Sequence, residues 1–222
     1  ITEQPVPIFY DLVSVYIPKI TRVDLLRMSE RKQQGDEVWM YDNNLYYIPK
    51  SALDLRTYFW KARKYEFSGV LWWGTTSWKQ ATSGRVSPWS NPTPDTGYKP
   101  GDGFFLYPRI GGGPPLNSIR WEMIREGMHD HNYLDLLLTK YEEAESLGRD
   151  VSDATTLINE IYSLVSLDSV EISQKQFSQL KERIAEQIIY LDMLIQYGPL
   201  NCGDGICAVG EDCEICVSDC LS

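Results

Sequence analysis

Three apolar stretches, DLVSVYIPKI (11–20), EVWMYDNN (37–44) and FSGVLWWGTTSW (67–78), alternate with two amphipathic ones, RVDLLRMSERKQQG (22–35) and SALDLRTYFWKARKY (51–65). This alternation limits the fold more than any other feature of the chain. Short runs that are apolar on both faces need cover on both sides, and helices between them supply it. The pattern therefore predicts parallel strands under helices. Pro18 ends the first strand, Gly35 stops the first helix and Ser51 caps the second. The third unit has a long excursion, 79–117, before a helix predicted from near Ser118 to about Leu147.

Two further helices follow. The last is opened by a capping-box pair, Ser173 and Gln176, and stopped by Gly198-Pro199. Phe177, Leu180, Ile184, Ile188, Leu191 and Ile195 repeat at threes and fours, opposite Lys181, Glu182 and Glu186. That single stripe predicts packing on a neighbouring helix.

In parallel α/β folds ligands sit at the C-terminal ends of the strands. Those ends carry Tyr16, then Tyr41, Asp42, Asn43 and Asn44, then Trp72, Trp73, Gly74 and Trp78. Aromatic faces beside polar amides suit a sugar, which has apolar C–H faces and a polar rim. The seven Trp and fourteen Tyr equally suit core filling. Side chains alternate along a strand, so Trp72 and Trp73 should face opposite ways. Trp73, on the face of Leu71, is the pocket candidate. The expected substrate-binding set is Tyr41, Asp42, Asn43, Trp73, Trp78 and Tyr107.

No catalytic group accompanies this wall. Glycoside hydrolysis needs two facing carboxyls. Asp36-Glu37 stands at the wrong end of its strand and reads as a solvated turn. Glu122 and Glu126 read as salt-bridging helix residues, and Asp42 has no evident partner. His129 and His131 share no helix face, so their spacing makes no metal site. A net charge of −10 argues against a nucleic-acid partner. No run approaches the roughly 18 apolar residues of a membrane-spanning helix. No cofactor is expected.

The pieces VSVYIP, EVWMYDNN, SGVLWWGTTSW, GDGFFLYP and SIRWEMIREGMHDHNYLDLL, in this order, resemble the later part of the catalytic domain of glycoside hydrolase family 123. The resemblance implies the C-terminal part of a (β/α)8 TIM-type barrel, about three β-α units. A helical pair and a small disulfide-rich tail follow. The corresponding segments are 1–148, 149–200 and 201–222. The family implies a retaining, substrate-assisted reaction on β-linked N-acetylgalactosamine. Its adjacent Asp-Glu pair lies on a mid-barrel strand, which would precede Ile1. Ser14 and His129 stand where family members often carry acidic residues. The resemblance also lets GDGFFLYP lay aromatics over the barrel rim, bringing Tyr107 and Pro108 near the pocket. The Gly/Pro segment then descends to a helix capped by Asn117 or Ser118.

The five cysteines, Cys202, Cys207, Cys213, Cys216 and Cys220, are confined to CGDGICAVGEDCEICVSDC. This stretch resembles a short Cys-rich repeat at the ends of secreted microbial proteins. So short a segment holds no core, and disulfides or a metal must fix it. Cys213-x-x-Cys216 has zinc-ligand spacing, but no second CxxC is present. Disulfides are therefore the expected staple. Asp204, Glu211 and Asp219 are the residues at which calcium would bind.

The resulting expectation is the C-terminal portion of an extracellular or cell-surface glycoside hydrolase acting on N-acetylhexosamine glycans. The alternative is a non-catalytic carbohydrate-binding or surface protein using the same aromatic pocket. For the tail, reduction should raise the intact mass by about four hydrogens, two disulfides with one cysteine left over. Five free thiols in protein from an oxidising compartment contradict this.

Overall fold

The computed structural model describes residues 12–198 except 43, 46, 78, 81–83, 86 and 94–98. The cysteine segment lies outside the described residues. The fold is mixed α/β and divides into two compact units. One holds the described residues through His131 together with Val165–Glu171. The other holds Asn132–Leu164 and the described residues from Ile172.

In the first unit, β1 (Val15–Tyr16), β2 (Glu37–Tyr41) and β3 (Gly69–Leu71) form one parallel sheet in the order β1-β2-β3. The ladder pairs Val15 with Glu37, and Trp39, Met40 and Tyr41 with Gly69, Val70 and Leu71. All three strands are shorter than their apolar runs. Pro18 has no N–H to give a ladder. Asp42 ends β2 by accepting the Asn44 N–H at 2.8 Å, a local turn that competes with pairing. Gly69 is where β3 meets a ring: a Cβ there would lie 2.7 Å from Trp39.

Helix α1 (Leu25–Gln33) is capped by Asp24, whose carboxylate accepts the Arg27 N–H at 3.2 Å, and it ends at Gly35 with φ +91°. The predicted helix 51–65 is two pieces, α2 (Ala52–Arg56) and α3 (Tyr58–Lys64). The Ser51 cap is present, accepting the Leu53 N–H at 3.2 Å. At the buried junction both the Thr57 N–H and its hydroxyl donate to the Leu53 carbonyl, at 2.8 and 2.7 Å. Glu66 leaves α3 in the left-handed region, φ 56°, which costs about 1 kcal/mol or more in a non-glycine residue. Lys32 offsets it by binding the Glu66 carboxylate at 2.9 Å.

Asp36 corrects the expectation of a solvated turn. It forms an ion pair with Arg31, both side chains nearly buried, and the Arg31 guanidinium also lies 5.5 Å from the Tyr16 ring. Tyr16 is thereby core, along with Val38, Met40, Leu55, Tyr58 and Phe105, and is no part of a pocket wall.

The excursion contains β4 (Lys79–Gln80) and β5 (Gly84–Arg85), which pair antiparallel, and then β6 (Leu106–Tyr107) and β7 (Leu116–Asn117), which do the same. GGGPP is therefore the loop of a β-ladder, with Gly111, Gly112 and Gly113 all at positive φ. Phe104 and Phe105 are buried, which corrects their placement over a rim. Large rings flanked by glycines find more area to bury inward than outward.

Helix α4 (Ile119–Ser146) follows at once, capped by Ser118, whose hydroxyl accepts the Trp121 N–H at 3.2 Å. In the second unit α5 (Ser152–Leu164) buries Ala154, Leu157, Ile158 and Ile161, and α6 (Gln174–Tyr197) buries Phe177, Leu180, Ile184 and Leu191 of the expected stripe, with Leu194 rather than Ile195 at its end and Ile188 half-buried. The Ser173–Gln176 capping box is present, and Arg183 bridges to Glu160 at 2.8 Å. Among the described residues no helix is long and apolar enough to cross a membrane.

The deepest ion pair joins α2 to α4. Arg56 donates to both Asp130 oxygens, at 2.7 and 2.9 Å, and the Asp130 side chain is fully buried. Removing one partner strands the other charge in the interior. Asp130→Ala is expected to lower the unfolding free energy by roughly 3–5 kcal/mol, read as a shifted urea midpoint. A loss below about 1 kcal/mol, typical of exposed pairs, contradicts this.

Candidate functional site

The parallel register brings the segments after Tyr16, Tyr41 and Leu71 to one end of the sheet. Asp42, the first residue beyond β2, is 7% exposed. Burial pushes its carboxyl above the ordinary 3.8. The Asn44 hydrogen bond and the charges of Lys61, Lys50 and Lys19 oppose that rise. Lys61 reaches the same place from α3. Burial holds its ammonium below the ordinary lysine range, with Asp42 the largest opposing charge. Its Nζ donates to the Leu167 carbonyl at 3.4 Å, while Lys64 Nζ donates to that of Val165 at 2.7 Å. Residues 165–171 are thus tied down by two lysines of one helix.

These groups surround a cavity of about 150 Å³ lined by Asp42, Asn44, Tyr47, Lys50, Lys61 and Lys99, with Leu167–Val170 along another side. Tyr47 stands between two carboxyls. Burial first, then the charges of Asp102 and Asp42, push its phenol up. Lys99 Nζ lies 4.5 Å from its ring centre.

Asp102 is the second carboxyl. It comes from the loop before β6, and burial pushes it up against opposing bonds from Trp73 and Gly103 and the charges of Arg120 and Lys99. Trp73 Nε1 donates to its Oδ1 at 3.0 Å. A Cβ at Gly103 would fall 2.5 Å from that indole, so ring and loop backbone touch. Asp42, which resists ionisation among the lysines and the phenol of this cavity, can accept and donate the hydrogen bonds that a polyhydroxylated ring requires, whereas Asp102 is not among the residues that line it.

A second hollow of about 480 Å³ is lined by Ile48, Leu55, Trp89, Tyr107, Ile119 and Met123. Lys50 lines both hollows.

The predicted residues divide between these places. Asp42 is in the cavity and Tyr107 in the larger hollow. Tyr41 is half-buried against the core and lines neither. Trp73 is 38% exposed and also lines neither, while Trp72 packs between Tyr58 and Phe105, at 4.9 and 5.4 Å. Asn43, Trp78 and the five cysteines lie outside the described residues. Tyr47, Lys61, Asp102 and Trp89 escaped the sequence reading. Lys61 had a signal, a lone cation within YFWKA. Asp102 had a weaker one, a carboxylate between two glycines.

A carboxyl that binds its proton more tightly folded than unfolded loses stabilising effect as pH rises. Its penalty is absent below the unfolded pKa, near 3.8 for Asp42, and complete once pH passes the higher folded value. Asp42→Asn removes this dependence. Its urea midpoint should therefore gain on that of the wild type as pH rises from about 4, until the pH passes the raised folded value. A gap that is constant or shrinks with pH contradicts the assignment.

The family model described as the glycoside hydrolase 123 catalytic domain matches residues 10–137. Among solved structures, the chain is similar to a family 123 glycoside hydrolase from Clostridium perfringens, reported for glycolipid glycan hydrolysis, with 18% identity and a TM-score of 0.53. That similarity covers 85% of this chain but only 34% of the other. No curated protein matches.

Proposed function

Because the chain belongs to glycoside hydrolase family 123, we propose that it forms the later part of a glycan-hydrolysing domain and supplies a polar wall of its sugar site. Its three parallel strands are read as the last three of a (β/α)8 barrel. The observation that carries this reading is the pair of desolvated carboxyls, Asp42 and Asp102, beyond the ends of β2 and β3. Isolated buried carboxyls cost stability, and sites where that cost is retained are disproportionately functional.

In this reading Asp42 and Asp102 accept hydrogen bonds from hydroxyls of an N-acetylhexosamine, and Lys50 or Lys99 donates to its ring substituents. The bond-breaking groups are an adjacent Asp-Glu pair preceding Ile1. The acetamido oxygen of the substrate attacks the anomeric carbon as the glycosidic C–O bond breaks, and the Glu gives its proton to the leaving oxygen. Water then opens the cyclic intermediate with retention. The cysteine segment supports an extracellular or cell-surface location.

The second reading is a non-catalytic glycan-binding protein. It is favoured by the surroundings of Asp42, on which the charges of Lys61, Lys50 and Lys19 act, an arrangement suited to holding hydroxyls without protonating a leaving group.

Hydrolysis of an aryl N-acetyl-β-galactosaminide separates the two. The 222-residue chain alone should show no turnover. Protein that includes the preceding coding sequence should turn the substrate over. Asp42→Ala should then lower kcat/KM by about tenfold to a hundredfold, roughly 1–3 kcal/mol for an unpaired polar contact. Turnover by the chain alone overturns the proposal. Binding without turnover by the longer protein selects the second reading.

A further inference from the structure

Trp89 is the most exposed tryptophan among the described residues, at 52%, yet it is held rigidly. Its indole Nε1 donates to the Pro108 carbonyl at 2.8 Å. Its ring centre lies 4.8 Å from that of Tyr107. Tyr107 stands edge-on to buried Phe104 at 5.5 Å and 87°, and is hydrogen-bonded to Arg120. The two rings are thereby fixed to the interior through two hydrogen bonds, a tilted ring contact and an edge-on one. An exposed ring that has already lost its rotamer freedom loses little more when a ligand lies on it.

The hollow beside it has the size of a ligand cleft, about 480 Å³ against a usual range of about 300–1,000 Å³. Its floor is apolar, from Leu55 and Met123, and its edge is polar, with Lys50 and Asn117. Lys50 also lines the Asp42 cavity, so the two hollows flank one side chain. From the fixed aromatic faces, the apolar floor with a polar edge and the shared lysine, we infer that the Trp89–Tyr107 hollow is a second saccharide subsite. It stacks a neutral sugar ring while a neighbouring residue of the same glycan occupies the Asp42 cavity. A ring with one C–H face and hydroxyls around its rim matches this lining. A purely aliphatic ligand makes no use of the exposed Lys50 ammonium, and among the described lining residues a nucleotide phosphate finds one exposed cation, since Arg120 is buried and donates to the Gly101 and Phe104 carbonyls. The inference rests on the reading that the chain handles glycans, and it adds a subsite to that reading.

The test titrates the full chain, labelled with nitrogen-15, with lactose and separately with N-acetylgalactosamine, each to about 50 mM, a range that captures weak millimolar binding. The indole N–H of Trp89, assigned by its loss in Trp89→Ala, should shift saturably with lactose. Trp89→Ala, whose fold is checked by circular dichroism, should weaken lactose binding at least about tenfold, equivalent to about 1.4 kcal/mol. Trp89→Phe should retain most of the affinity. Sugar-dependent shifts at the Asn44 and Tyr47 amides without any at Trp89 overturn the second subsite and leave the glycan reading standing. No shift with either sugar overturns the subsite and counts against the glycan reading too. An equal shift with 1,6-hexanediol in place of sugar shows general apolar adsorption and also overturns it.

Discussion

The guanidinium of Arg120 holds together what the site needs. It lies in the first turn of α4, buried, and donates to the carbonyls of Gly101 at 2.9 Å and Phe104 at 2.6 Å. The rings of Phe104 and Phe105 stand at 5.7 and 5.3 Å from it. Without it the Phe104 carbonyl would lose its charged donor and the Gly101 carbonyl would keep only the long bond from the Phe104 N–H, 3.4 Å, where a buried acceptor left without a donor costs about 1–3 kcal/mol. With Arg120 in place the loop closes, Asp102 meets the Trp73 indole, and the following residues enter β6 with Tyr107 beneath Trp89. A lysine has neither the planar fork nor the ring affinity to make the same set of contacts. The larger hollow therefore depends on a residue whose hydrogen bonds go to the loop backbone and to Tyr107.

Much of the fold was legible because it follows from periodicity. Parallel pairing, the Ser51 and Ser173 caps, the stop at Gly35 and the α6 stripe each follow from a local rule that nothing overrides. What failed were lengths and destinations. Strand ends were set by Pro18 and by the Asp42 side chain, which turns the backbone onto itself. The split at Thr57 arose because its hydroxyl and its N–H both claim one carbonyl. The GGGPP segment looked like a descent into a helix, whereas it is the loop between β6 and β7. A two-residue ladder such as Leu106–Tyr107 with Leu116–Asn117 leaves no periodic trace.

The site was legible only in part for a related reason. Asp42 could be found because it terminates a strand. Tyr47 and Lys61 come from a loop and a helix and converge on the cavity through tertiary packing, and Asp102, from a distant loop, acts on Tyr47 through its charge. Trp73 was chosen by strand alternation, but β3 ends at Leu71, so its direction is set by the Asp102 hydrogen bond rather than by a pleat.

Two kinds of buried charge occur in this first unit, and their contrast locates function. Arg56–Asp130 and Arg31–Asp36 are close pairs in which a guanidinium meets a carboxylate directly. They join helix to helix, or helix to strand, at positions away from the hollows. Asp42, Lys61 and Asp102 are buried nearly as well, but each is held by backbone groups or neutral donors and feels opposite charge only at a distance. A fold optimised for stability alone would pair such groups or replace them with apolar ones. Retaining Asp42 and Lys61 without a direct ion pair leaves polar groups lining a cavity, which is what recognition of a hydroxylated ligand uses.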